Sequence, residues 1–122
     1  MDSEIALVAQ MYECFNARDI DGVLAVLAED VAWANGMDGG HVHGLEAVRA
    51  YWTRQWEIVS PLVEPVRFTR AEDGAVHTEV QQSVRDLNGK PLEGQVHGLK
   101  DKMVMHIFRL HNGKVTRFDI GD

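Results

Sequence analysis

A single cysteine, Cys14, leaves this 122-residue chain unable to form an internal disulfide. That is compatible with a reducing compartment, and a cytoplasmic protein is expected. No apolar run approaches the roughly 20 residues that cross a bilayer. The start of the chain lacks the charged-then-apolar pattern of a signal peptide. No membrane partner is therefore expected. Basic charge is scarce too, with 12 Lys and Arg against 19 Asp and Glu and a net charge of −7. Phosphate backbones are held by clustered cations. Here the cations are scattered, so nucleic acid is not an expected partner. There is no G-x-G-x-x-G and no G-K-[ST] to cradle a phosphate. Without repeats, low-complexity segments or a linker, residues 1–122 read as one domain. Its 45% hydrophobic content supports a core with room for a pocket, since a chain of this size buries roughly two thirds of its unfolded surface.

The most informative stretch present is the last twenty residues, Met103 to Asp122. They read as two strands joined by Asn112-Gly113, the pairing that a type I′ hairpin turn favours. If those two residues are the whole turn, His111 faces Lys114, Leu110 faces Val115, Phe108 faces Arg117 and His106 faces Asp119. Val104, His106, Phe108, Leu110, Val115, Arg117 and Asp119 then share one face. Met103, Met105, Ile107, Phe118 and Ile120 share the other. His106 opposite Asp119 is a candidate acid/base pair; the plainer reading is a pair that braces the sheet or a dimer face. Register decides, because a one-residue slip sets His106 against Phe118 or Ile120.

The first half reads as helical. Ser3 can cap a helix to about Arg18, with Ile5, Val8, Tyr12 and Phe15 on its buried stripe. Tyr12 is either a core aromatic or a pocket residue. Asp19 or Asp21 can cap a short second helix. Residues 30–35 read as a strand with Trp33 and Asn35 on one face. His41-x-His43 sits in a glycine-rich loop. A zinc site needs at least a third protein ligand, and no spacing supplies one, so no metal and no cofactor is expected. Residues 45–59 form a third helix with Val48, Trp52 and Trp56 on one stripe and Tyr51 on its flank. These aromatics either pack the core or wall a ligand cavity. Pro61 and Pro65 end the helical part. Strands over 66–71 and 76–86 follow, with turns at Asp73-Gly74 and Asn88-Gly89, then a looser stretch from Lys90 to Asp101.

The segments 12–22, 27–33, 44–52 and 106–115 together resemble the nuclear transport factor 2-like superfamily, in its SnoaL-like and ketosteroid isomerase-like branch. The resemblance spans nearly the whole chain. It implies an α+β cone: a strongly curved antiparallel sheet wrapped around about three N-terminal helices. It indicates fold better than chemistry, because the same cone hosts isomerases, cyclases, dehydratases, epoxide hydrolases and non-catalytic binders. The steroid-isomerase roles fall on altered residues. The general base falls on Asn35, the oxyanion-binding tyrosine on Met11, with Tyr12 about 100° further round the helix, and the protonated acid on His106. The chain is therefore not expected to be a steroid isomerase. SnoaL-like cyclases and related lyases are similar in using a His and an Asp, which points to His106 and Asp119 as catalytic. The resemblance also implies a pocket walled by Trp33, Asn35, Tyr51 or Trp52, Trp56, His106 and Phe108.

Two functions follow as expectations. One is proton-abstraction chemistry, as an isomerase, cyclase or lyase, on a small, mostly apolar carbonyl compound. The other is a non-catalytic module that binds a ligand or dimerises. Because both faces of the closing hairpin are apolar in this register, a homodimer through the sheet is expected.

Overall fold

The computed structural model describes residues 3–35, 39–58, 60–85 and 102–121. The helices are α1 (Ser3–Asn16), α2 (Ile20–Leu24) and α3 (Leu45–Ile58), with the first two strands between α2 and α3. The strands are β1 (Leu27–Ala34), β2 (His41–His43), β3 (Ser60–Arg70), β4 (Val76–Arg85), β5 (Lys102–His111) and β6 (Lys114–Gly121). They form one six-stranded sheet in the order β2-β1-β6-β5-β4-β3. The expected α+β plan holds. One seam differs from an all-antiparallel sheet, since β1 pairs with β6 in parallel. The expected turn at Asn88-Gly89 and the stretch from Lys90 to Asp101 lie outside the described residues.

Helix α1 buries Val8, Met11, Tyr12 and Phe15, the stripe its spacing marks. Its end is tied to β3 by side chains. Asn16 mimics a strand neighbour, donating from Nδ2 to the Val63 carbonyl at 2.7 Å and accepting from the Val63 N–H at 3.0 Å. Arg18 adopts φ 62°, the left-handed conformation in which many helices stop. Its guanidinium lies 5.0 Å from the Trp56 ring and donates to the Pro61 carbonyl at 2.6 Å. These bonds draw the start of β3 over the end of α1 and so shape one rim of the cone.

Two sequence expectations are corrected in the connecting segments. Pro61 and Pro65 do follow the third helix, but they lie inside β3 rather than before a strand. β3 is an edge strand, where proline costs no ladder partner on its free side. His41-x-His43 is not loop but the short strand β2, paired to Ala32–Ala34 of β1.

The closing hairpin carries the largest correction. Asn112 and Gly113 have φ of 51° and 77°, so both central residues sit where a type I′ turn puts them. His111 pairs with Lys114 and Leu110 with Val115, as expected. Beyond them the ladder shifts. Arg109 pairs with Arg117, Phe108 with Phe118, Ile107 with Asp119 and His106 with Ile120. Thr116 is the extra residue, a β-bulge, and its hydroxyl donates to the Arg109 carbonyl at 3.1 Å. His106 therefore does not face Asp119. The bulge exchanges the two faces of β6 beyond it. Phe118 turns inward, 4% exposed and stacked on Trp33 at 4.1 Å. Arg117 and Asp119 turn outward.

Energetics explain the shift. An unbroken ladder would set Arg117 and Asp119 against the core and Phe118 in water. Burying a Phe side chain is worth roughly 2–3 kcal/mol, while a buried carboxylate costs far more unless paired. A bulge that adds one residue and local twist resolves both. Phe118→Ala should lower unfolding stability in urea by about 3 kcal/mol or more, while Arg117→Ala should cost less than about 1 kcal/mol. A larger loss for Arg117→Ala than for Phe118→Ala would show that the bulge does not turn Phe118 inward.

Candidate functional site

Helices α1 and α3 lie over the inner face of the sheet, and a cavity opens between them. α1 supplies Met11, Tyr12 and Phe15 to its wall, and α3 supplies Tyr51, Trp52 and Gln55. Trp33 and Ala34 of β1, Pro61 and Val63 of β3, and Gln82 of β4 close the sides. His106 of β5 with Phe118 and Ile120 of β6 completes it. The enclosed space is about 60 Å³, room for roughly four waters, and it continues to a mouth open to solvent. No Asp, Glu, Lys or Arg is among the described residues that line it.

The polar centre of this apolar space is a Tyr–His dyad. The Tyr12 hydroxyl lies 2.7 Å from His106 Nδ1. The two rings are nearly parallel, 8° apart, and Tyr12 is 2% exposed and His106 6% exposed. Phe108, wholly buried, meets Tyr12 edge-on at 5.8 Å. Burial pushes the His106 pKa down to about 3, because an imidazolium here would lose its hydration without gaining a carboxylate. The ring is therefore neutral at pH 7. Burial also raises the Tyr12 phenol well above its ordinary range, and the neighbouring Thr78 hydroxyl acts in the opposite direction. A phenol is the stronger donor of the pair and an imidazole nitrogen the stronger acceptor. The stronger arrangement has Tyr12 donating to Nδ1 and the imidazole proton on Nε2. With Nδ1 taken by Tyr12, Nε2 is the ring nitrogen left for another partner.

Asp119 lies elsewhere. On the outer face of the sheet its Oδ1 accepts from His41 Nε2 at 2.7 Å and its Oδ2 from Arg117 Nε at 2.8 Å. Partial burial would raise its pKa, but the hydrogen bonds from Arg117 and His41 together outweigh that and hold the carboxyl below its ordinary value. The cluster ties β2 to β6 across β1. The expected His106–Asp119 pair is thus two separate features on opposite faces.

Of the residues expected at the pocket, Tyr12, Trp33, Tyr51, Trp52 and His106 line it. Asn35 does not. Its backbone closes the β1–β2 connection, donating to the Gly40 carbonyl and accepting from the Gly39 N–H, both at 2.9 Å. Trp56 stacks behind Trp52 at 6.1 Å beneath Arg18, one layer outside the cavity. Phe108 supports the dyad from below rather than meeting the space. Met11 does line the cavity, while the hydroxyl that reaches the centre belongs to Tyr12, one position on.

Sequence reasoning missed Gln55 and Gln82, each under 10% exposed. Gln55 donates to the Tyr51 hydroxyl at 2.9 Å, one helical turn away. Gln82 sits at the inward parity of β4, after Val76, Thr78 and Val80. A polar residue on an otherwise apolar alternation was the available signal. His41 and His43 stand on β2, and among the described residues no group of three His, Cys, Asp or Glu side chains comes together.

No curated protein matches the chain by sequence. Solved structures do match. An NTF2-like protein of unknown function from Burkholderia pseudomallei is 26% identical, with 99% of this chain and 91% of that one covered and a TM-score of 0.80. TerC, co-crystallised with polyporic acid, is 21% identical over 98% of this chain and 91% of its own, with a TM-score of 0.78. An LEH-like epoxide hydrolase of M. tuberculosis is 22% identical over 97% of this chain and 80% of its own, with a TM-score of 0.74. At such identities the last two show a shared fold. The SnoaL-like domain family matches residues 8–118, and the cone, the helix order and the central pocket agree with it: the chain belongs to the SnoaL-like domain family of the NTF2-like superfamily.

Proposed function

We propose that the cone binds a small, uncharged, largely apolar molecule through a carbonyl or similar acceptor, with His106 Nε2–H as the orienting donor. The observation that carries this is the neutral, buried His106 ring, engaged at Nδ1 by Tyr12 and lining an apolar cavity. Aromatic walls with a few convergent polar groups suit such ligands. A charged ligand would forfeit hydration with no counter-ion among the described wall residues. The co-crystallisation of TerC with a small molecule fits this reading.

The second reading is an isomerase, cyclase or lyase acting on a small carbonyl compound. What favours it is the dyad itself, since a fixed N–H in a dry site stabilises a developing enolate oxygen. In that chemistry His106 polarises the carbonyl and does not take the proton. A ring whose pKa lies near 3 is a poor base at neutral pH. Asp119 stays engaged on the other face. Non-catalytic binding needs only the first half of this scheme.

A homodimer is the assembly proposed with either reading. The bulge withdraws Phe118 and Ile120 from the outer face. Met103, Met105 and Ile107 remain there as an apolar stripe on β5, with Met103 53% exposed, and a second copy is its natural cover. Light scattering at micromolar concentration should give twice the chain mass. A monomer there contradicts the proposal.

For the ligand, three probes of similar size separate the terms: acetophenone, ethylbenzene and benzoate. Acetophenone should shift the indole N–H resonances of Trp33 and Trp52 and bind about tenfold tighter than ethylbenzene, the worth of one good hydrogen bond. Benzoate should bind more weakly than either. His106→Phe should remove the preference for the ketone. Equal binding of ketone and hydrocarbon, or a preference for benzoate, would overturn the reading.

A further inference from the structure

The inward stripe of α3 changes character in its last turn. Val48 and Trp52 are buried and apolar, and the next inward position is Gln55, only 4% exposed. A buried carboxamide is uncommon, because each of its polar groups needs a partner to offset lost hydration. Leu or Met would fill the same place without that cost. Gln82 sets a second buried carboxamide into the cavity wall. It pairs with Val63 near the start of β3, the strand that follows α3. The Tyr–His dyad stands at a different level of the cone, since His106 pairs with Thr78, four positions earlier on β4.

The Gln55 side chain is half satisfied. Its Nε2 donates to the Tyr51 hydroxyl at 2.9 Å. Among the described residues that is the one hydrogen bond the carboxamide makes, which leaves the acceptor capacity of Oε1 unused. Nor is Oε1 sealed in. Among the described residues, the buried side-chain atoms with neither a partner nor open space beside them are Trp56 Nε1 and Thr78 Oγ1. Gln55 Oε1 is not one of these, so it borders open space, and the space that Gln55 lines is the cavity. Tyr51 holds the carboxamide in place from one helical turn away, and no Lys or Arg among the described lining residues competes for the oxygen.

We propose that Gln55 Oε1 is a second polar anchor of the cone, accepting a hydrogen bond from a hydroxyl group of the ligand. A neutral hydroxyl is the group that fits. An alkyl group would leave Oε1 stripped of water and unpaired. An ammonium would find no carboxylate among the described wall residues. The ligand class is then an apolar body with a carbonyl at the His106 end and a hydroxyl at the Gln55 end. The carbonyl end rests on the ligand reading above, whereas the hydroxyl end rests on Gln55 alone.

The test titrates 4-ethylphenol and 4-ethyltoluene, which differ by a hydroxyl for a methyl and carry no carbonyl. Wild type should bind 4-ethylphenol about tenfold tighter, the effect of one good hydrogen bond. Gln55→Met keeps the length of the side chain and removes the carboxamide, and it should bind the two probes equally. His106→Phe should keep the preference for the phenol, which locates the hydroxyl at Gln55 rather than at the dyad. Equal binding of the two probes by wild type, or no binding of either, overturns the anchor. So does a preference that survives in Gln55→Met or disappears in His106→Phe. If Gln55→Met fails to fold, the wild-type and His106→Phe comparisons decide alone. Because neither probe has a carbonyl, a wild type that prefers 4-ethylphenol but not acetophenone would sink the carbonyl reading and leave the anchor standing.

Discussion

The bulge at Thr116 places one unpaired residue between two stretches of the β5–β6 ladder, and every β6 side chain beyond it changes faces. Phe118 and Ile120 move to the cone, and Arg117 and Asp119 move to the outer sheet. The stacking of Phe118 on Trp33 and the clustering of Asp119 with His41 and Arg117 are consequences of that one insertion. The cone is apolar because these charges are elsewhere. The outer cluster, in turn, fastens the three-residue strand β2 to the sheet.

An apolar cone sets the electrostatics of the site. Among the described residues His106 has a hydroxyl for its partner and no carboxylate, so desolvation holds it neutral. The chain carries a net charge of −7, yet none of the described residues lining the cavity is charged. The three positions that a steroid isomerase would use for base, oxyanion donor and acid here hold a turn-forming Asn35, a wall residue Met11 and the neutral ring of His106. A Tyr–His pair stands at the cavity instead, and no carboxylate is among the described residues that line it. That combination suits holding a carbonyl compound better than deprotonating it.

Much of this was legible in the sequence because it rests on periodicity. The stripe Val8, Tyr12 and Phe15 on α1, the stripe Val48 and Trp52 on α3, and the Asn112-Gly113 turn all follow from local rules that the fold obeys. Five of the expected pocket residues line the cavity for that reason. The bulge was not legible. Nothing about Thr116 distinguishes it from an ordinary strand residue, and the gain from inserting it lies in contacts with Trp33, more than eighty positions away. Asn35 failed because a turn uses its backbone, which side-chain parity does not report. Trp56 and Phe108 failed by one layer: helical and strand faces identify residues that point inward, but not how far they reach. Gln55 and Gln82 were visible as polar breaks in apolar patterns.

The central claim is a neutral His106 facing an uncharged cone, and its protonation state tests that most directly. The folded pKa lies below the ordinary value of about 6.5, so as pH falls the unfolded chain takes up the proton first and stability drops. Following the His106 ring by NMR, it should stay neutral from pH 8 through pH 5. Over the same range the unfolding free energy should fall by about 2 kcal/mol between pH 7 and pH 5, a dependence absent from His106→Gln. A ring that titrates near 6.5, with wild type and His106→Gln losing stability alike, would contradict the account.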